Sequence, residues 1–183
     1  MRKNFVLASF AVVMAFAISA SAQKVTDFSG TWVLDVSKSK LEERGPAIKS
    51  QTMKVTQDAA QIHIETTTER AAPADGAGAQ RGEGRGGGFG GGDVPATYTL
   101  DGKETIVEQE SRGGKIPVKF SAKYEGAKLH LLQSRTFSTP NGDITAETKG
   151  TWELSADGKT LTIDREMSSP RGTSSTTLVY NKQ

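Results

Sequence analysis

The stretch Phe28-Ser29-Gly30-Thr31-Trp32-Val33-Leu34-Asp35 returns in near copy 120 residues later, as Gly150-Thr151-Trp152-Glu153-Leu154-Ser155. Each copy reads as a strand that opens on a flexible glycine and then buries an indole. Side chains alternate along a strand, so Phe28, Gly30, Trp32 and Leu34 point the same way. Two such segments, one at each end of a run of hairpins, predict a sheet rolled up until its ends approach.

The sequence between them supports that reading. Ser37 to Pro46 breaks the alternation and fits a short helical turn or a loop. Ile48 to Gln57 puts Gln51, Met53 and Val55 on one side, and Gln61 to Glu69 runs back with Ile62 and Ile64 inward. Val94 to Leu100 meets Lys103 to Ser111 across Asp101-Gly102, a two-residue hairpin signal. Lys115 to Tyr124 alternates Ile116, Val118, Phe120, Ala122 and Tyr124 without a break. Ala127 to Ser138, Ile144 to Leu154, Lys159 to Met167 and Thr173 to Asn181 complete the series, separated by turns rich in Gly, Asn and Pro. The predicted fold class is all-β: an antiparallel up-and-down meander closed into a barrel of about 8–10 strands. Closing the sheet would remove its exposed edges. A two-sheet sandwich is the structural alternative.

Outside this series lie two segments of different character. Arg2 and Lys3 precede an apolar run from Phe5 to Ile18, and Ala20-Ser21-Ala22 supplies small residues of a cleavage pattern. Residues 1–22 therefore read as a secretory signal peptide and 23–183 as the domain. The apolar run is short of the roughly 20 residues that span a bilayer. No stable membrane insertion is expected after cleavage, and the product is expected in the periplasm or outside the cell. Ala71 to Asp93 carries half of the chain's 20 Gly. Such composition does not offset the entropy of ordering, so 71–93 reads as a disordered loop.

Charge and cysteine usage narrow the function classes. Without Arg2 and Lys3 the 23 Lys and Arg become 21, against 21 Asp and Glu. The basic pI of the whole chain thus belongs to its leader and points to neither nucleic acid nor anionic membrane. Absence of Cys excludes disulfides, thiol chemistry and Cys metal sites. Arg81, Arg85 and Phe89 in the Gly-rich stretch echo an RGG segment, but a neutral, exported domain makes nucleic acid an unexpected partner.

Phe28-x-Gly30-x-Trp32 followed by a meander resembles the first motif of the lipocalin and fatty-acid-binding (calycin) superfamily. The segments Asp27 to Asp35 and Trp152 to Thr162 also resemble uncharacterised secreted bacterial proteins of lipocalin-like type. The chain lacks the Thr-Asp-Tyr segment of the second lipocalin motif, and its strand count is nearer ten than eight. The resemblance implies a barrel whose Gly-x-Trp strand closes the base, with a basic residue from the last strands covering the indole. Arg165 is the residue it implies for that role, with Lys182 second.

Other chemistry-bearing residues have plain explanations. His63 and His130, the two histidines, alternate against Ile62 and Ile64 and against Leu129 and Leu131, which turns both outward. Neither has a second ligand at metal spacing, so no metal and no haem is expected. Glu108 with Glu110 and Asp164 with Glu166 read as solvated pairs, not as an acid and a base. No Gly-x-Ser-x-Gly elbow occurs, and Gly158-Lys159-Thr160 is a hairpin turn that lacks the rest of a phosphate loop. No catalytic residue and no cofactor is assigned.

The function expected is non-catalytic binding of a small hydrophobic or amphipathic molecule inside the barrel. Inward candidates are Trp32, Leu34, Met53, Ile64, Tyr98, Val118, Phe120, Tyr124 and Trp152. The alternatives are a structural or protein-interaction domain with a filled core and, behind it, an enzyme or a haem- or metal-binding barrel. Oligomeric state is not legible.

Overall fold

The computed structural model describes residues 25–41, 46–72, 94–111, 114–140, 142–170 and 172–183. Among them are ten strands and no helix. They are β1 (Gly30–Leu34), β2 (Ile48–Gln57), β3 (Gln61–Arg70), β4 (Ala96–Thr99) and β5 (Thr105–Ser111), then β6 (Gly114–Glu125), β7 (Lys128–Thr139), β8 (Gly142–Leu154), β9 (Thr160–Ser169) and β10 (Gly172–Lys182). The signal-peptide reading, and residues 73–93 of the Gly-rich stretch, lie outside the described residues.

All pairings are antiparallel, in one sheet ordered β4-β3-β2-β1-β10-β9-β8-β7-β6-β5. Each strand pairs with its successor in sequence except across β4 and β5, while β1 pairs with β10 and so joins the two ends of the chain. The register sets Trp32 opposite both Met53 and Lys182, and Leu34 opposite Tyr180. The expected barrel is therefore present, with one correction. It does not close through an unbroken ladder: a seam separates β4 from β5, two strands joined by a single turn. Side chains bridge the seam near the turn, where Thr99 Oγ1 lies 3.4 Å from Thr105 Oγ1. Higher up, the Tyr98 and Phe120 rings meet edge-on at 5.1 Å. Strand β4 has four residues and β5 has seven, so β5 runs on well past the end of β4.

Strand β1, Gly30–Leu34, is shorter than the stretch Phe28 to Asp35 that reads as a strand in sequence. Asp35 ends it by accepting hydrogen bonds from Ser37 Oγ, Lys38 N and Asn181 Nδ2, which holds the chain in a turn. The connection then touches β10 once more, through a bridge between Lys40 and Thr177. At the base, Asp58, Asp101 and Asp157 each accept the backbone N–H two residues on, at 2.7, 3.0 and 3.0 Å. Such turns explain why Asp recurs at the hairpin ends.

Inward positions run Gln51, Met53, Val55 on β2, Ile62, Ile64, Thr66 on β3, and Val118, Phe120, Ala122 on β6. They continue as Leu129, Leu131, Gln133 on β7 and Leu161, Ile163, Arg165 on β9, all buried. Burial falls off along the barrel axis. Trp32, Leu129, Trp152 and Leu161 at the base have no exposed surface, whereas Ile116, Phe137 and Met167 toward the other rim are only partly covered.

Candidate ligand-binding interior

The base is a solid plug. Trp32 Nε1 donates to Phe28 O at 2.9 Å, and the Phe28 ring meets Trp152 edge-on at 5.7 Å and lies over Tyr124 at 6.4 Å. Gln57 ties the incoming chain down. Its Oε1 accepts from Phe28 N and its Nε2 donates to Thr26 O and to the Tyr124 hydroxyl, which itself donates to Thr26 O at 2.8 Å. Buried aromatic groups need such outlets for their polar atoms. The cation over the Trp32 ring is Lys182 Nζ, 5.1 Å from its centroid. This is the second of the two residues the motif implies. Lys182 is the cross-strand partner of Trp32, whereas Arg165 pairs with Gly150 and Thr176 further up the wall, where it is buried. Gly30 explains itself in the same place. A Cβ there would lie 2.7 Å from Lys182 Cε, and its φ of +144° is one that side chains rarely adopt.

Above the plug the interior becomes polar. The Tyr180 hydroxyl donates to Gln51 Oε1 at 2.6 Å, Gln51 Nε2 donates to Thr68 Oγ1 at 2.8 Å, and Arg165 Nε donates to Thr176 Oγ1 at 3.2 Å. Burial pushes the Tyr180 phenol well above its ordinary pKa, an effect that the Arg165 charge partly offsets. Tyr98 is shifted upward by burial in the same way, with the Arg135 charge opposing it.

Arg135 and Gln133 stand out in this belt. Both face inward on β7, Gln133 opposite Phe120 and Thr148, Arg135 opposite Val118 and Ala146. Arg135 Nη2 lies 3.5 Å from Gln109 Oε1, a long contact. Arg135 Nε and Gln133 Oε1 are buried and have no hydrogen-bond partner. No carboxylate among the described residues lies within ion-pair distance of Arg135, and burial lowers the pKa of its guanidinium. A buried polar atom without a partner costs roughly 1–3 kcal/mol, more when charged.

Eight of the nine inward candidates are buried: Trp32, Leu34, Met53, Ile64, Tyr98, Val118, Phe120 and Trp152; Tyr124 is half-buried at the base. Trp32, Trp152 and Tyr124 belong to the plug, while Phe120 and Val118 stand directly across from Gln133 and Arg135 in the polar belt, with Tyr98 against Phe120. The sequence reading missed Gln133, Arg135 and Tyr180. Strand parity alone finds all three, since Gln133 and Arg135 continue the Leu129, Leu131 series and Tyr180 follows Leu178.

His63 and His130 lie on the outer wall. His63 contacts Thr97 Oγ1 at 2.8 Å and Glu65 Oε1 at 3.4 Å; His130 lies between Thr151 Oγ1 at 3.2 Å and Glu125 Oε2 at 3.4 Å. Around His130 a shallow outer cavity of about 390 Å³ is bordered by Lys123, Leu132, Lys149 and Thr151. No group of three His, Asp or Glu side chains that could hold a metal occurs among the described residues. Glu108, Glu110, Asp164 and Glu166 are exposed, and Asp164 accepts from Thr177 Oγ1.

Ten antiparallel strands, a plugged base and a seam between β4 and β5 define a nearly closed up-and-down barrel. Among solved structures, the chain is similar to a secretary abundant heat soluble (SAHS) protein from Ramazzottius varieornatus. That match has 10% identity and a TM-score of 0.51, over 88% of this chain and 98% of that one. It is similar also to zebrafish ileal bile acid-binding protein complexed with cholic acid, at 17% identity and a TM-score of 0.47, over 85% of this chain and 98% of that one. At these identities the likeness concerns the fold. No family model matches the chain, and no curated protein matches it.

Proposed function

We propose that this chain is an exported, non-catalytic barrel that binds a small amphipathic molecule in the upper half of its interior, with an anionic group against Arg135. One observation carries the reading: an inward guanidinium with a buried, unbonded Nε, beside an unbonded Gln133 Oε1 and with no carboxylate in reach among the described residues. A ligand carboxylate would accept from Arg135, and a hydroxyl or amide on the same molecule would donate to Gln133. Ile116, Phe137 and Met167, partly covered toward the open rim, would take the apolar part. Export rests on the leader pattern from Arg2 to Ala22.

Displacement of anilinonaphthalene sulfonate by dodecanoate and by dodecanol tests the site. Dodecanoate should bind about tenfold more tightly, and Arg135→Met should abolish the difference. Equal affinities in the unaltered protein would remove the anionic part of the proposal. Native mass spectrometry of protein from its own source tests the rest, with a chain beginning at Gln23 and an attached small molecule as the expected result.

A filled structural barrel is the second reading. It is favoured by the lower half, where Trp32, Ile62, Tyr98, Leu129, Trp152 and Leu161 have no exposed surface. Absence of any displacement by either probe would favour it.

A further inference from the structure

Strand β4 makes its ladder with β3, and β5 makes its ladder with β6 alone among the described residues. Along an edge strand alternate residues turn N–H and C=O away from the sheet, so β5 presents unpaired backbone groups toward the seam. Two consecutive apolar residues stand exposed on it, Ile106 at 58% and Val107 at 43%. Consecutive residues face opposite sides, so the edge is apolar on both faces at this point.

Charge identifies what would lie there. Glu104, Glu108 and Glu110 share the outer face with Ile106. Glu104 is paired with Lys119 at 2.9 Å and Glu110 more loosely with Lys115 at 3.8 Å. Glu108 stands opposite Pro117 and has no ion-pair partner among the described residues. A second copy laid antiparallel on this edge would bring like charges together, which opposes pairing. A strand with basic residues at alternate positions and apolar ones between would satisfy the backbone, cover Ile106 and Val107, and pair with Glu108.

We propose that the β5 edge beyond the Thr99–Thr105 bridge, Ile106 to Ser111, is a docking site for an extended basic–apolar segment of a partner protein, added as a further strand. The probe is a labelled peptide alternating Lys and Val over seven residues, titrated against the purified protein by fluorescence anisotropy. Its control has Glu in place of every Lys. Saturable binding is expected, about tenfold or more weaker for the Glu peptide and weakening with salt. Hydrogen exchange should show slowed amides in β5. Glu108→Lys and Ile106→Lys, both at exposed positions, should each weaken binding about tenfold and leave the thermal midpoint unchanged. Equal affinity for the two peptides, or protection confined to other strands, would overturn the proposal. So would concentration-dependent β5 protection without peptide, which would assign the edge to self-association.

Discussion

The Tyr180 hydroxyl donates to Gln51 Oε1 across the inside of the barrel, 129 positions apart in sequence. Trp32 pairs with Met53, and Leu34 with Tyr180. Gln51 and Tyr180 therefore flank β1 near its last residue, and their hydrogen bond fastens β2 to β10 over the end of the strand between them. The backbone still joins β1 to β10 here, with Asp35 N donating to Val179 O at 2.7 Å, and the Tyr180–Gln51 bond adds a side-chain link from β10 to β2.

Tyr180→Phe should destabilise the fold by about 1–3 kcal/mol, because it leaves Gln51 Oε1 buried without its donor. Adding Gln51→Leu should cost less than the two single changes together. Urea unfolding midpoints of the three variants check this, and full additivity would show the bond to be dispensable.

Gly30→Ala should cost about 1–3 kcal/mol, from the φ strain and the collision with Lys182 Cε. The pair Gly30→Ala with Lys182→Ala should recover the steric part and leave the backbone part. Intrinsic fluorescence follows the loss of the ammonium over Trp32.

Trp32→Ala and Trp152→Ala should each destabilise by roughly 3–5 kcal/mol, the range for emptying a buried Trp site. Thermal unfolding measures it. A cost below about 1 kcal/mol for either would mean that the plug tolerates a hole and that Phe28 does not depend on Trp152.

Stability should fall on both sides of neutral pH. Burial raises the phenol of every tyrosine, Tyr98, Tyr124 and Tyr180, above its unfolded value. That contribution is whole below pH about 10 and is lost as pH climbs beyond it. Absorbance titration should show the buried Tyr98 and Tyr180 phenols ionising only together with unfolding. On the acid side, the Ser37 hydroxyl, foremost among several hydrogen bonds, holds Asp35 down at about 2. Asp58 and Asp101 are lowered chiefly by backbone N–H groups, and Asp157 chiefly by Ser155. Their contribution is present above pH about 4 and is lost as pH drops toward 2. Circular dichroism across pH would record both flanks. A flat profile through pH 2–4 would mean that these turns do not contribute.

Local rules were enough to read the strands. Alternation placed Met53, Ile64, Phe120 and Trp152 inward, and Asp-Gly pairs placed turns, because both depend on neighbours one to three residues away. The polar belt was equally open to parity, as the run Leu129, Leu131, Gln133, Arg135 shows. It was missed because an inward arginine contradicts the expectation of an apolar core. Choosing between Arg165 and Lys182 needed more than parity, since both lie on inward positions near the end of the chain. Cross-strand register separates them.

By itself, then, the sequence determined an all-β meander, the faces of its strands and the glycine and tryptophan at its base, since each follows from a period of two and from turn chemistry. Only the tertiary structure decided where the sheet stays open and which cation lies over Trp32. It also decided that Arg135 Nε is buried inside without a hydrogen-bond partner. Those outcomes depend on strand register and strand length around the whole circumference, and no local stretch of chain contains them.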